Sequence, residues 1–290
     1  MSSRLEIGSL LSPRHRDKAI RILSEKSGVF AAHFLTLFGL FADANQESSV
    51  LSLIRAKEKP ERTPLASLLP PEFIPKVAAF ELIGEPFRTI LKHPTLASRF
   101  YRIPHFLQIP VKPKNSLPEI LITRGDGQDV PDTIINMWFP GYRPIDQLLS
   151  ESFRQGILIA CTSLNYRHNP SVTDTNEAID FCRESSEVDF VLTDKYAATK
   201  VTPRWSGSYS ILSTIVGNHS HAYKMIREGN VSSTTLCRLY QHNISEAQKV
   251  LSDARILELG TSTVQTILSE RCGYRSVMKI IATLGKNSSS

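Results

Sequence analysis

Two rhythms of apolar residues run along the chain. In Arg14 to Lys26, RHRDKAIRILSEK, residues Ala19, Ile20 and Leu23 form one stripe at helical spacing with charges around it, and Ser27-Gly28 ends the pattern. The next run, VFAAHFLTLFGLFA from Val29 to Ala42, is apolar almost without interruption, which predicts a buried strand leading into a loop at Gly39. Val50, Leu51, Leu53 and Ile54 return to helical spacing behind a cap at or near Asn45, and Lys57-Glu58-Lys59-Pro60 breaks that helix. Leu65 to Leu69 reads as a short strand closed by Pro70-Pro71, and Phe73 to Phe87 and Ile90 to Phe100 as helical or irregular material. Four prolines between Ile103 and Pro118 argue against a long helix; strands fit Phe106 to Val111, Glu119 to Thr123 and Thr133 to Phe139. Beyond them come a helix at Ile145 to Gln155 and an apolar strand at Gly156 to Cys161. A helix start at Thr173 to Glu177 precedes strands at Val188 to Leu192 and Tyr209 to Val216. No period of 20 to 50 residues repeats, which excludes a solenoid, and the mixture of elements predicts an α/β or α+β domain of about 220 residues.

Composition adds limits. At 290 residues with 41% hydrophobic and 21% charged side chains the chain has enough apolar content for a core without disulfides or a structural metal. Its four cysteines, Cys161, Cys182, Cys237 and Cys272, form no C-x-x-C pair and read as reduced, buried thiols. The most apolar stretch is shorter than the roughly 20 residues that span a bilayer. Charged residues from Arg4 to Asp17 leave no room for a secretory signal, so the expected compartment is the cytoplasm, with no membrane partner. A net charge of +6 is compatible with polyanionic ligands such as ATP or RNA without requiring them. His33 and His105, in apolar surroundings, read as satisfied core histidines. The paired-carboxylate, H-E-x-x-H and G-x-x-x-x-G-K-[ST] signatures are absent, which removes the sequence handle for glycosidase, zincin and P-loop chemistry.

Three separated segments carry a resemblance. Ser27 to Leu65 resembles a strand, a P-T-D-T-x-Y-G-L turn, a helix and a K-x-R-P-x-x-K-P-L loop. Ile157 to Ala178, ILIACTSLNYRHNPSVTDTNEA, resembles an apolar strand ending in T-S-A-N before a helix, and Leu212 to Gly229 resembles closing S-T-[IV]-V and I-[IL]-R-x-G elements. Together these are similar to the YrdC-like family, best known for threonylcarbamoyl-AMP synthases. The resemblance implies an α/β fold, a YrdC-like twisted mixed sheet with flanking helices. It divides the chain into an N-terminal arm at 1–13, the domain at 14–232, and a helical extension with a disordered tail at 233–290. Several positions depart from the pattern: Leu35 replaces Asp, Phe38 replaces Tyr, His33 replaces Pro, Lys59 replaces Arg, Thr63 replaces Lys, and Trp138-Phe139-Pro140 replaces R-[IV]-P.

By that resemblance the activity is synthesis of threonylcarbamoyl-adenylate from L-threonine, bicarbonate and ATP, with Mg2+ accompanying ATP, for N6-threonylcarbamoyladenosine modification of tRNA. tRNA or other RNA and tRNA-modification proteins would be its partners. The chemistry needs cations on a triphosphate, donors on a carboxylate and a pocket that keeps water from a labile carbamate. The resemblance assigns Lys57, Lys59 and Arg227 to charge neutralisation, and Thr36, Ser163, Asn165, Ser213 and Thr214 to substrate and ATP binding. Each also has an ordinary use: lysines suit a helix C-terminus, Ser and Asn suit turns, and Ser213-Thr214 suits a plain strand. The alternative class is a catalytically degenerate YrdC-like module that binds a nucleotide or RNA, or regulates a partner, as the departures at Leu35, Thr63 and Trp138 suggest.

Overall fold

The computed structural model describes residues 5–58, 60, 63–85, 87–101, 105–127, 130–139, 142–166, 169–194, 208–215 and 224–229. Lys59, Arg167, Cys237, Cys272 and the expected extension at 233–290 lie outside them.

The uninterrupted apolar run folds as a hairpin, not as one strand. Strands β2 (Val29–Phe34) and β3 (Leu37–Asp43) pair antiparallel through Phe34↔Leu37, and every residue of both is buried. Burial on both faces explains the missing polar alternation. The turn at Leu35-Thr36 contains no Gly, Asn, Asp or Pro, so only the resemblance to the family's turn marks it; Gly39, expected in a loop, is an interior position of β3. Around this hairpin the described strands form one mixed sheet in the order β1-β9-β2-β3-β8-β4-β7-β5-β10-β11, with β6 paired to β7. The other strands are β1 (Glu6–Ser9), β4 (Ala66–Ser67), β5 (Phe106–Pro110), β6 (Ile122–Thr123), β7 (Thr133–Asn136), β8 (Ile159–Ser163), β9 (Phe190–Thr193), β10 (Ile211–Ser213) and β11 (Lys224–Arg227).

Helices cover both faces. On one, α1 (Pro13–Ser24) and α6 (Arg143–Arg154) share a core with Phe30, Phe34, Phe41, Ile159 and Phe190, extended by the short helices α3 (Ile74–Val77), α4 (Phe87–Lys92) and α5 (Pro94–Phe100). On the other, α2 (Glu47–Ala56) and α7 (Thr175–Glu184) pack Val50, Leu53, Ala178 and Phe181 against Ala31, Phe38, Leu40 and Val191. The start of α2 is held from outside the helix: Asp43 Oδ1 accepts the N–H groups of Asn45 and Leu158, and the Gln46 amide donates to Leu23 O. Asp174 caps α7 by accepting from the N–H groups of Asn176 and Glu177.

Other expectations also shift. Glu119–Leu121 is a 3₁₀ turn ahead of the two-residue β6, and the strand expected over Tyr209 to Val216 is confined to Ile211–Ser213. β1 and β11, at the two edges of the described sheet, were not expected as strands, although Ile226 to Gly229 carries one of the family-like motifs; within the stretch read as an N-terminal arm, Glu6–Ser9 pairs parallel with β9. His33 is buried but not satisfied, because its Nδ1 has no hydrogen-bond partner among the described residues. No helix among the described residues is long and apolar enough to cross a membrane.

Candidate functional site

Sheet register builds the site. Side chains alternate between faces, so residues in matched register across neighbouring strands form a row on one face. Phe41 pairs with Cys161, Cys161 with Ala66, Phe106 with Ile211, and Ile211 with Arg227; Ile135 and Met137 of β7 and its extension complete the row. This row floors a cavity of about 350 Å³. Along the floor the surface is mainly apolar, with Phe34, Leu37, Phe41, Leu68, Phe106 and Met137 prominent. Polar groups stand at the two ends.

At the β8 end, Lys57, the C-cap of α2, reaches from the opposite helix layer past the end of the strand. Its ammonium donates to the Asn165 carbonyl at 2.9 Å and also to Asn165 Oδ1. Ser163 Oγ donates to the same Oδ1 at 2.9 Å, while Asn165 Nδ2 donates to the carbonyls of Tyr166 and Asn169. All four amide valences of Asn165 are thus directed, and Lys57, 5% exposed, is a pre-oriented cation at the pocket wall. At the other end Arg227 sits on edge strand β11. One guanidinium nitrogen donates to the Tyr209 carbonyl at 2.8 Å, and loss of hydration lowers its pKa. Five strand spacings separate β8 from β11, on the order of 20 Å along the sheet, which suits an elongated ligand.

The expected residues therefore divide. Lys57, Ser163, Asn165 and Arg227 line this one cavity. Thr36 occupies the hairpin turn, is buried, and is not among the lining residues. Thr214 is fully buried and its hydroxyl donates to the Gln108 carbonyl; Ser213 Oγ accepts the N–H of Ile215. The Thr214 hydroxyl ties the end of β10 to β5, the Ser213 hydroxyl bonds its own chain two residues on, and neither residue lines the cavity. Lys59 lies outside the described residues. Trp138, which replaces a family cation, is buried and donates its indole N–H to Asp146; it is Met137 that lines the pocket. Sequence reasoning missed Phe34, Met137, Cys161 and Tyr209 as lining residues. They come from four separate segments, and which strands lie side by side is not visible in the chain.

Neither a family model nor a curated protein matches the sequence. Solved structures do. P. abyssi Sua5 complexed with L-threonine aligns with a TM-score of 0.51 at 20% identity, covering 77% of this chain and 57% of that one. E. coli YciO aligns at 0.52 and 14% identity over 81% of this chain and 99% of its own. The chain has a YrdC-like fold. T. kodakarensis HypF shares it at a TM-score of 0.54 and 19% identity, matched over 76% of this chain and a quarter (25%) of HypF. At such identities the likeness is one of fold. The YrdC-like chain spans less than two thirds of Sua5 and of HypF.

Proposed function

We propose that the YrdC-like chain is an enzyme of the threonylcarbamoyl-AMP synthase type, which makes threonylcarbamoyl-adenylate from L-threonine, bicarbonate and ATP for tRNA modification. The observation that carries this reading is the convergence of Lys57, Ser163, Asn165 and Arg227 on one elongated pocket. Sua5, of the same fold, has been solved with L-threonine bound. In the reaction, the threonine amine takes up CO2 from bicarbonate as a carbamate. A carbamate oxygen then attacks the α-phosphorus of ATP, the bond to the β,γ-phosphates breaks, and pyrophosphate leaves. Side chains need transfer no proton in that last step; they neutralise and align charge. Lys57 and Arg227, at opposite ends, suit the two anionic parts of the reactants, a carboxylate and a polyphosphate. The apolar floor between them excludes water from the carbamate. Mg2+, where it accompanies ATP, would serve as the counter-ion of its phosphates.

A second reading, a nucleotide- or RNA-binding module without turnover, has one observation in its favour. The ammonium of Lys57 is already engaged by two oxygens of Asn165, and the floor offers few polar groups to a transition state. Incubation with ATP, bicarbonate and L-threonine separates the two. The synthase reading expects threonine-dependent release of pyrophosphate; ATP binding without any such release would replace it with the module.

A further inference from the structure

Arg227 is tied to the opposite end of the domain's sequence through a single aromatic residue. Tyr209 accepts its guanidinium on the backbone carbonyl at 2.8 Å, and the Tyr209 phenol donates to the carbonyl of Phe34. That carbonyl also accepts the N–H of Thr36 at 2.6 Å, closing a three-residue γ-turn centred on Leu35. Leu35 has φ of +59°, a conformation that L-residues with large side chains rarely adopt. It is held there by burial of its side chain, 5% exposed, in the larger core. The tip of the first hairpin is therefore a fixed point. Tyr209 itself is 3% exposed, with its ring edge-on to Phe106 and Phe139. Just past Arg227 the two backbones touch: a Cβ on Gly229 would lie 2.3 Å from the Ser208 carbonyl oxygen and 2.4 Å from Ser210 N, so this crossing admits only glycine. Phe34, Tyr209 and Arg227 all line the pocket.

Edge strand β11 is otherwise weakly held. Among the described residues it pairs with β10 alone, through a register irregularity at Ile211/Leu212, and its residues are largely exposed. An arginine on such a strand needs an anchor if its guanidinium is to meet a ligand in a defined place. We propose that Tyr209 is a positioning residue: its phenol, bonded to Phe34 at the strained hairpin tip, sets the backbone carbonyl that aims Arg227 into the pocket. This rests on the reading of Arg227 as an anion-binding group, and it adds that the aim of Arg227 is determined from the first hairpin. The polyphosphate end of ATP is the class of ligand so aligned.

A double-mutant cycle on the full chain tests the proposal, with ATP and inorganic pyrophosphate as titrants. Tyr209→Phe keeps the ring between Phe106 and Phe139 and removes only the hydroxyl. Arg227→Gln should weaken ATP binding about tenfold or more. Tyr209→Phe should weaken it at least threefold, and the double variant should bind no more weakly than Arg227→Gln alone. A purely structural role would make the losses multiply. Tyr101→Phe is the reference for loss of a buried hydroxyl, since Tyr101 OH accepts from Asn136 far from Arg227; it should lower the melting temperature with no change in ATP affinity. Should Tyr209→Phe fail to fold, Arg227→Lys leaves Tyr209 intact and loses the planar fork, and at least a fivefold loss is expected. Wild-type affinity in that variant, or in Tyr209→Phe, or multiplying losses, overturns the positioning role alone. Unchanged affinity in Arg227→Gln overturns it together with the anion-binding reading of the pocket.

Discussion

His33 lies in β2, 2% exposed, with its ring edge-on to Phe38 and its Nδ1 unbonded. Burial pushes its pKa down to about 4, against the opposing pull of the Asp194 carboxylate. In the unfolded chain the same imidazole takes up a proton near its ordinary value of about 6.5. Between those two values the unfolded state holds more protons, so His33 adds stability at neutral pH that is lost as pH falls from about 6.5 to about 4. The loss is on the order of 3 kcal/mol. Asp146 works in the opposite sense. Burial raises its pKa to about 6, so its protonated form favours the fold at low pH and that contribution fades as pH rises through 6. Urea unfolding at pH 7 and pH 4.5 separates the two: His33→Leu should lose less stability between these values than the wild type, and equal losses would refute the assignment to His33.

At the scale of elements, what could be read from the sequence follows from how local its determinants are. Helices α1, α2, α6 and α7 were legible because the apolar stripe and the stop lie within one segment, and for α7 the cap as well. Asp174, for example, precedes α7 and satisfies two of its N–H groups, so Asp174→Ala should cost about 1 kcal/mol in chemical denaturation; no measurable change would remove the cap from the account. The β2–β3 hairpin was not legible in the apolar pattern, since a γ-turn at Leu35 is stabilised by distant groups, the core around Leu35 and the phenol of Tyr209, 175 residues away from Phe34. Edge strands β1 and β11 are short and partly exposed, so no apolar run marks them. The same distinction applies to the pocket. Lys57, Ser163, Asn165 and Arg227 stand in motif-like segments and could be named from them. Thr36, Ser213 and Thr214 stand in equally motif-like segments, yet the backbone turns their side chains to packing duties outside the cavity.

Across the whole molecule the sheet acts as a ruler. Its order brings β8 and β11, far apart in sequence, to the two ends of one apolar trough, with Lys57 at one end and Arg227 at the other. The net charge of +6 thus acquires a local meaning, because two of the positive groups face a cavity with an apolar floor, where attraction to an anion is less screened than on the open surface. On the proposed function this trough binds ATP with its polyphosphate at the guanidinium of Arg227. Calorimetric titration of ATP into the wild type and into Arg227→Met at two salt concentrations tests it most directly. Expected are one saturable site in the wild type, at least tenfold weaker binding in Arg227→Met, and a smaller salt dependence in the variant. Equal affinities in the two proteins, or no binding of ATP by the wild type, would contradict it.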